Sequence, residues 1–468
     1  MRGLVAAALK KSDYFLIPAL ACLAVFWRAP FVWFRTDDFA WLGLRLEVHG
    51  LRSLASALFL PEAQGTVRVL SERLFFLLFS SVFGMHAAPF RWFALLTWFL
   101  ALALGGAVGA KITGSRTAGI AAAVVWTTSF AVAVPLMWSS AYNQILCSFL
   151  LLAALYARAR RLESLEPETG NTKWQIVEWV AYLAGFGALE VTVMYPLAAL
   201  LYTSCVARKR DRRAWALLIP AVIFGAMHWL AIARPAGDVY RVVVDGRIVP
   251  TALFYLRSAW GPDGFPLRWA IGAALAAFFI CRMASRDARV LFPAAWFALF
   301  IAPVLPLPNH ILYYELTIPL IGMAWLGGWA LERAWNAGGL ARAVSIGLAA
   351  AFLAGSLPEI NAETADWLAR TSRMRLVVRG AQAVAAAYPG TALIFKGVDQ
   401  NLFDTGFEDE PFRLFGVTRV YLAPGSGELR GSERFRISAD DAAKLIDRGQ
   451  ARVLEVSADA APSDVTGR

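Results

Sequence analysis

Thr36-Asp37-Asp38-Phe39 is the densest group of chemistry-bearing side chains in the sequence. Two adjacent carboxylates can divide acid/base work, one taking the proton of an attacking hydroxyl while the other orients it or holds a cation. The same residues also read as a helix start, with Thr36 or Asp37 as cap and the acids facing the positive end of the helix dipole. Glu190 lies in the apolar run Gly187 to Pro196. An ionisable group there is costly and marks a site, unless it rests in the interface between two short spans. Glu178 is in a similar setting, one helical turn from water. Pro308-Asn309-His310, with Tyr313, Tyr314 and Glu315, offers polar and aromatic groups for a sugar or a phosphate, or else an aromatic belt with a capped helix end. The turn Trp138 to Gln144, which includes Asn143, either lines a cavity or is an ordinary loop. His49, His86 and His228 have no metal-ligand spacing, which argues against a zinc site. No metal ligand set is read, no cofactor is required, and a divalent cation is compatible with the acidic pair.

These residues must be positioned by membrane helices. The chain is 58% hydrophobic and only 17% charged, against about 25% charged in a typical soluble domain. A soluble protein of this composition could not cover its surface with polar groups, so the excess faces lipid. The net charge of +11 falls in short loops between apolar runs, which argues for membrane orientation and against nucleic acid. Runs of about 20 apolar residues predict about eleven spans, at 14–34, 90–110, 117–137, 141–159, 175–190, 191–207, 214–233, 267–283, 290–306, 311–331 and 343–358. With the N-terminus inside, Lys and Arg gather in every short inner loop, for example Arg158, Arg160, Arg161 and then Arg208 to Arg213. The short outer loops near Ser139, Glu190 and Asn309 hold none. The first outer segment, 35–89, carries an amphipathic stretch from Trp41 to Leu58. It also carries an apolar run, Leu74 to Phe83, too short to span and suited to an interfacial or re-entrant helix. The second outer segment is 234–268. All four cysteines lie in apolar runs, so a disulfide framework is not expected.

After about Pro358 the pattern becomes helix, strand (392–398), short helix, strand (418–422), helix and strand (452–456), with Ser438, Asp440 and Asp441 as a helix start. The fold class is therefore an all-α polytopic membrane protein with a small C-terminal α/β soluble domain. The division falls at 1–358 and 359–468, with a disordered tail of about ten residues. The expected setting is a bacterial inner membrane, with the N-terminus cytoplasmic and the C-terminal domain periplasmic.

The order of features resembles the GT-C superfamily of membrane glycosyltransferases, especially protein O-mannosyltransferases and their bacterial relatives. The resemblance is carried by the Asp37-Asp38 pair opening the first outer loop and by Phe83-Gly84-Met85. It continues through Lys111 to Arg116, Val134 to Ser139, Leu189-Glu190 with Pro196, and Tyr314 to Gly322. It covers roughly 14–330. It implies a polyprenyl-phosphate-linked sugar donor, an acceptor (protein, lipid or glycan) on the outer face, and Asp37 or Asp38 as the base. It also implies that Glu190 is the acidic member of a Lys-Glu motif and that Tyr314 and Glu315 lie near the donor. In this sequence Leu189 replaces the Lys of that motif, Val134 replaces a His, and no Arg adjoins Tyr314. The cation for the departing phosphate is then to be sought among Arg234, Arg241, Arg257, Arg268 and His310. Two other readings remain: a transporter or flippase of a lipid-linked saccharide, and a non-catalytic GT-C-like protein that binds a lipid or partner.

Overall fold

The computed structural model describes residues 2–60, 66–163, 168–231, 240–457 and 460–466. The first helix, α1 (Arg2–Val25), leads through an extended stretch to the short α2 (Asp37–Gly43), α3 (Leu51–Phe59) and α4 (Phe75–Phe83) of the segment 35–89. A single π-turn, Val69–Leu74, precedes α4. The bundle continues with α5 (Ala87–Thr113), α6 (Arg116–Thr127), α7 (Ala133–Met137), α8 (Tyr142–Glu163), α9 (Glu168–Phe186), α10 (Tyr195–Leu201) and α11 (Leu218–Ala231). Then come α12 (Ile248–Ser258), α13 (Arg268–Ala284), α14 (Leu291–Ile301), α15 (Leu320–Ala337) and α16 (Gly339–Ala387).

Each of the eleven predicted spans overlaps a helix, but several overrun theirs: α1 ends at Val25, short of the predicted 34, and residues 232–233 of the seventh span lie outside the described residues. Among the described residues, five helical stretches are long and apolar enough to cross a bilayer, or six if the pair 116–127 and 130–137, bent by 62°, counts as one. The chain is a multi-pass membrane protein, and its outward-facing side chains agree: Leu20, Trp92, Leu96, Val180, Val222 and Ile280 are large, apolar and exposed. In lipid, helices associate by close packing, which favours small residues at the contacts. That is how α5, α6 and α15 meet. Gly119 sits over the Gly106 carbonyl, Gly328 over the Ala118 carbonyl and Gly322 over the Pro293 carbonyl, leaving no room for a Cβ.

Three sequence expectations change. The tenth span does not begin at 311: residues 313–316 form a 3₁₀ turn, and the helix starts at Leu320 behind Pro319, whose fixed φ suits a helix start. The chain does not change character at Pro358. Instead α16 runs through it for 49 residues, on the order of 70 Å. The tail expected to be disordered contributes a strand, described below.

Beyond α16 the chain builds a four-stranded sheet of β1 (Ala392–Lys396), β2 (Val420–Leu422), β3 (Ala451–Glu455) and β4 (Ser463–Asp464), in the order β2-β1-β3-β4. β1 runs parallel to both neighbours, pairing Ile394 with Tyr421 and with Val453, while β4 is antiparallel to β3. Two further helices complete this unit, α17 (Gln400–Leu402) and α18 (Ala439–Asp447). Ser438 caps α18 by accepting the Asp441 N–H. Phe395, Phe403, Phe407, Phe412 and Phe435 pack as an aromatic cluster. They belong to the same continuous core as Phe39, Trp98 and Trp325 of the membrane part.

Candidate active site

The two adjacent aspartates have opposite surroundings. Asp38 is fully buried, and its carboxylate accepts from the Ser140 N–H (2.8 Å), the Ser140 hydroxyl (2.6 Å) and the Arg35 N–H (3.2 Å). The buried Arg91 guanidinium lies 3.8 Å away and is itself fixed by donating to the Val32 and Trp33 carbonyls. With these bonds made, Asp38 is a strut that ties the start of α2 to the turn 139–141. Asp37 is exposed. It opens α2 with its carboxylate held by no side chain among the described residues. Burial of the recess around it raises its carboxyl above the ordinary range, against the pull of the Arg35 guanidinium. Arg35 in turn lies over the Trp367 ring at 3.6 Å.

Thr36, just before the pair, has φ 41°, an uncommon conformation for a β-branched residue. Its N–H donates to the Thr405 carbonyl of the C-terminal unit (3.0 Å), and Gly406 (φ 149°) lies directly against the Phe39 ring. Strain of this kind persists where surrounding structure imposes it, and here the C-terminal unit does so.

Facing Asp37 is a residue that sequence reasoning passed over. Arg68, just before the π-turn, donates Nε to both oxygens of Glu190 (3.0 Å each) and Nη1 to Glu72 (2.7 Å). The contact arises because the π-turn docks on the break between α9 and residue 190. The Leu70 N–H donates to the Gly187 carbonyl (2.8 Å) and the Ser71 hydroxyl to the Ala188 carbonyl (2.8 Å). The buried Arg73 holds the other side by donating to the Leu58 and Thr66 carbonyls. Burial works against the charge of Arg68, but Glu190 and Glu72 outweigh it and hold the guanidinium firmly protonated. Its Nη2 makes no hydrogen bond among the described residues. Arg68 lies close enough to Asp37 to pull its carboxyl down, so the two opposite charges are near one another.

Some of the remaining expected residues gather near this pair and others do not. Asn143 is buried and donates to Glu72 (3.3 Å), while its Oδ1 has no partner. Gln144 donates to Glu315 (3.3 Å), whose other oxygen is 3.7 Å from His310 Nε2. His310 packs on Tyr240, with ring centroids 4.4 Å apart, and edge-on to Tyr314. Asn309 is exposed on the preceding turn. Of the cations considered for a phosphate, Arg268 and Arg257 are clasped by Asp263 at 2.6 and 3.5 Å, and Arg234 lies outside the described residues. Arg241 is exposed and has interactions of its own. Glu178 is not at this site: it is buried beside Arg158 (2.6 Å) and accepts from Tyr195 (3.1 Å), as part of a packing network with Asp211. Among the described residues no three His, Cys, Asp or Glu side chains gather as metal ligands.

The C-terminal unit adds one more acid. Asp409 is half-buried, and burial, followed by repulsion from Asp37 and Glu408, raises its carboxyl to about 7. The acidic run Glu408-Asp409-Glu410 was visible in the sequence, but nothing there indicated that it meets residue 37. Arg68 carried one signal, its i,i+4 spacing from Glu72.

No family model matches the chain, and no curated protein does. Among solved structures it is similar to the apo oligosaccharyltransferase of Archaeoglobus fulgidus, with 10% identity over 84% of this chain and a TM-score of 0.51. The chain spans 63% of that protein's length. ArnT from Cupriavidus metallidurans aligns over 94% of this chain and 92% of its own at 14% identity, with TM-scores of 0.46 in the apo state and 0.42 bound to undecaprenyl phosphate. At this identity the likeness is one of fold, shared with the archaeal oligosaccharyltransferase.

Proposed function

We propose that the chain is a membrane glycosyltransferase that moves a sugar from a polyprenyl-phosphate carrier to an acceptor hydroxyl on the outer face of a bacterial inner membrane. The observation that carries this reading is the pairing, in one recess, of an open carboxylate with an arginine that keeps a free donor edge. Asp37 takes the proton from the acceptor hydroxyl as its oxygen attacks the anomeric carbon. The bond from that carbon to the phosphate oxygen breaks, and Arg68 Nη2 meets the oxygen on which negative charge develops. Glu190 and Glu72 hold the guanidinium in that orientation. His310, Tyr314 and Tyr240 form an aromatic and polar wall of the kind a sugar ring packs against, and Asn143 Oδ1 is an acceptor awaiting a donor. The fold shared with an oligosaccharyltransferase supports the assignment. The C-terminal unit, packed over Thr36, supports a role in closing the recess around the acceptor.

One observation favours a second reading: two carboxylates already neutralise Arg68, which suits a protein that binds a lipid-linked saccharide without transferring it. A transfer assay separates the two. Purified protein in detergent receives radiolabelled polyprenyl-phosphate sugars and a membrane extract as acceptor source. Wild type is expected to transfer label, and Asp37→Asn and Arg68→Gln are each expected to lower the rate by about a hundredfold or more. Transfer unchanged in Asp37→Asn would remove the base, and donor binding without transfer would establish the second reading.

A further inference from the structure

A second recess lies at the Asp37 end of the bundle, outside the candidate active site. It encloses about 270 Å³ between the stretch after α1, the start of α5 and the outer part of α16. One wall is a stripe along α16, Ser372, Arg375 and Arg379, and the other is Trp33, Met85 and His86. The walls are joined where the Trp33 N–H donates to the Thr371 hydroxyl of α16 (3.1 Å), and the second wall is tied within itself by the Trp33 indole donating to the Met85 carbonyl (3.2 Å).

The charges on α16 are unevenly matched. Arg370 and Arg373, which do not line the recess, have acid partners in Asp366 (2.7 Å) and Asp399 (2.5 Å). Arg375 and Arg379, one helical turn apart, line the recess and have no acid partner among the described residues. No carboxylate lines the recess. Two exposed guanidiniums and an imidazole facing one enclosed volume form a ready site for a phosphate.

Its depth relative to lipid indicates which phosphate. His86 immediately precedes α5, whose Trp92 and Leu96 face outward, and is separated from the exposed Val82 and Phe83 of α4 by Gly84 and Met85. At the α1 side, Phe31 lines the recess, and Trp27 and Leu20 continue an exposed apolar track down the bundle. Interfacial Trp residues mark headgroup level, so the basic recess opens where a lipid phosphate lies and an apolar track descends from it. We propose that this recess binds the anionic headgroup of a membrane phospholipid, with the phosphodiester held between Arg375 and Arg379 and the acyl chains running along Phe31, Trp27 and Leu20.

The test is equilibrium binding to the full purified chain in detergent, read by native mass spectrometry, so it does not depend on sugar transfer. The probes are short-chain phosphatidylglycerol, phosphatidylcholine of the same chain length, and inorganic phosphate. Arg375→Gln/Arg379→Gln is expected to weaken phosphatidylglycerol binding by about tenfold, because both guanidiniums are exposed and solvent screens their attraction for the phosphate. Arg370→Gln, on the same helix outside the recess, should leave binding unchanged. Both altered side chains of the double variant are exposed, and Arg379→Gln alone is a milder second variant expected to move binding in the same direction. The proposal fails if the double variant loses less than about threefold, if Arg370→Gln loses as much, or if phosphatidylcholine binds as tightly. Inorganic phosphate binding as tightly as phosphatidylglycerol would replace a lipid site with a free-anion site and would equally overturn it.

Discussion

At the residue scale, Asp37 and Asp38 are neighbours with different work. Asp38→Asn would leave Arg91 buried beside a neutral amide and return a mismatched donor towards Ser140, so it should destabilise the chain by about 2–3 kcal/mol. Thermal unfolding in detergent should show a lower midpoint for Asp38→Asn and an unchanged one for Asp37→Asn; a normal midpoint for Asp38→Asn would contradict its role as a strut. Asp409 supplies a pH signature. Its carboxyl is raised in the folded chain to about 7, against about 4 in an unfolded chain, so the folded state holds the extra proton between those values. The stability this contributes is complete below about pH 4 and is lost as pH rises through about 7. Asp409→Asn should therefore gain in midpoint relative to wild type as pH rises from 4 to 8, and parallel profiles would refute the raised Asp409 carboxyl. The Asp-Asp pair was legible in the sequence because adjacent carboxylates after a span are rare and costly. Which of the two is open was not, since Ser140, 102 residues away, decides it. Arg68 was hidden for the same reason: its partner Glu190 is 122 residues distant, and the sequence pointed to Arg234, Arg241, Arg257, Arg268 and His310 for the missing cation instead.

At the element scale, the site depends on short irregular pieces held by long regular ones. The π-turn Val69–Leu74 places Arg68 only because it docks on the Gly187 and Ala188 carbonyls, and α2 is held from outside by the C-terminal unit. Gly406 is the tightest point of that second contact. A side chain there would collide with the Phe39 ring and would have to adopt φ 149°. Gly406→Val is expected to separate the C-terminal unit from α2, seen as new protease cleavage after Ala387 and as lost sugar transfer with normal membrane insertion. Wild-type protease resistance would show that the contact is dispensable. Long apolar runs, the strands and the Ser438 cap were legible from periodicity and turn chemistry. The continuation of α16 through Pro358 was not, because a proline that ends a helix in water can be carried where packed neighbours hold the flanking turns.

At the scale of the whole molecule, the membrane bundle and the C-terminal unit are not separate bodies joined by a linker. α16 belongs to both, one core runs through both, and Asp409 of the C-terminal unit lies near Asp37 of the bundle. Charge bias in the loops made a multi-pass membrane protein legible, because lipid restricts backbone and charge so strongly. The coupling between the two parts was not, because it is made by contacts between residues at opposite ends of the chain. The contact of Arg413 with the Ala40 carbonyl joins residues 373 positions apart, beside the paired Thr36 and Thr405. At about 5–20 residues per second, synthesis of that interval occupies roughly 20–75 seconds. For that period the chain is already entering the membrane with the turn before Asp37 secured from the bundle side by Asp38 and Ser140, but without the Thr405 carbonyl that receives the Thr36 N–H. A chain released early would insert with that strained turn only half secured, until the last hundred or so residues have emerged and folded back onto the first forty.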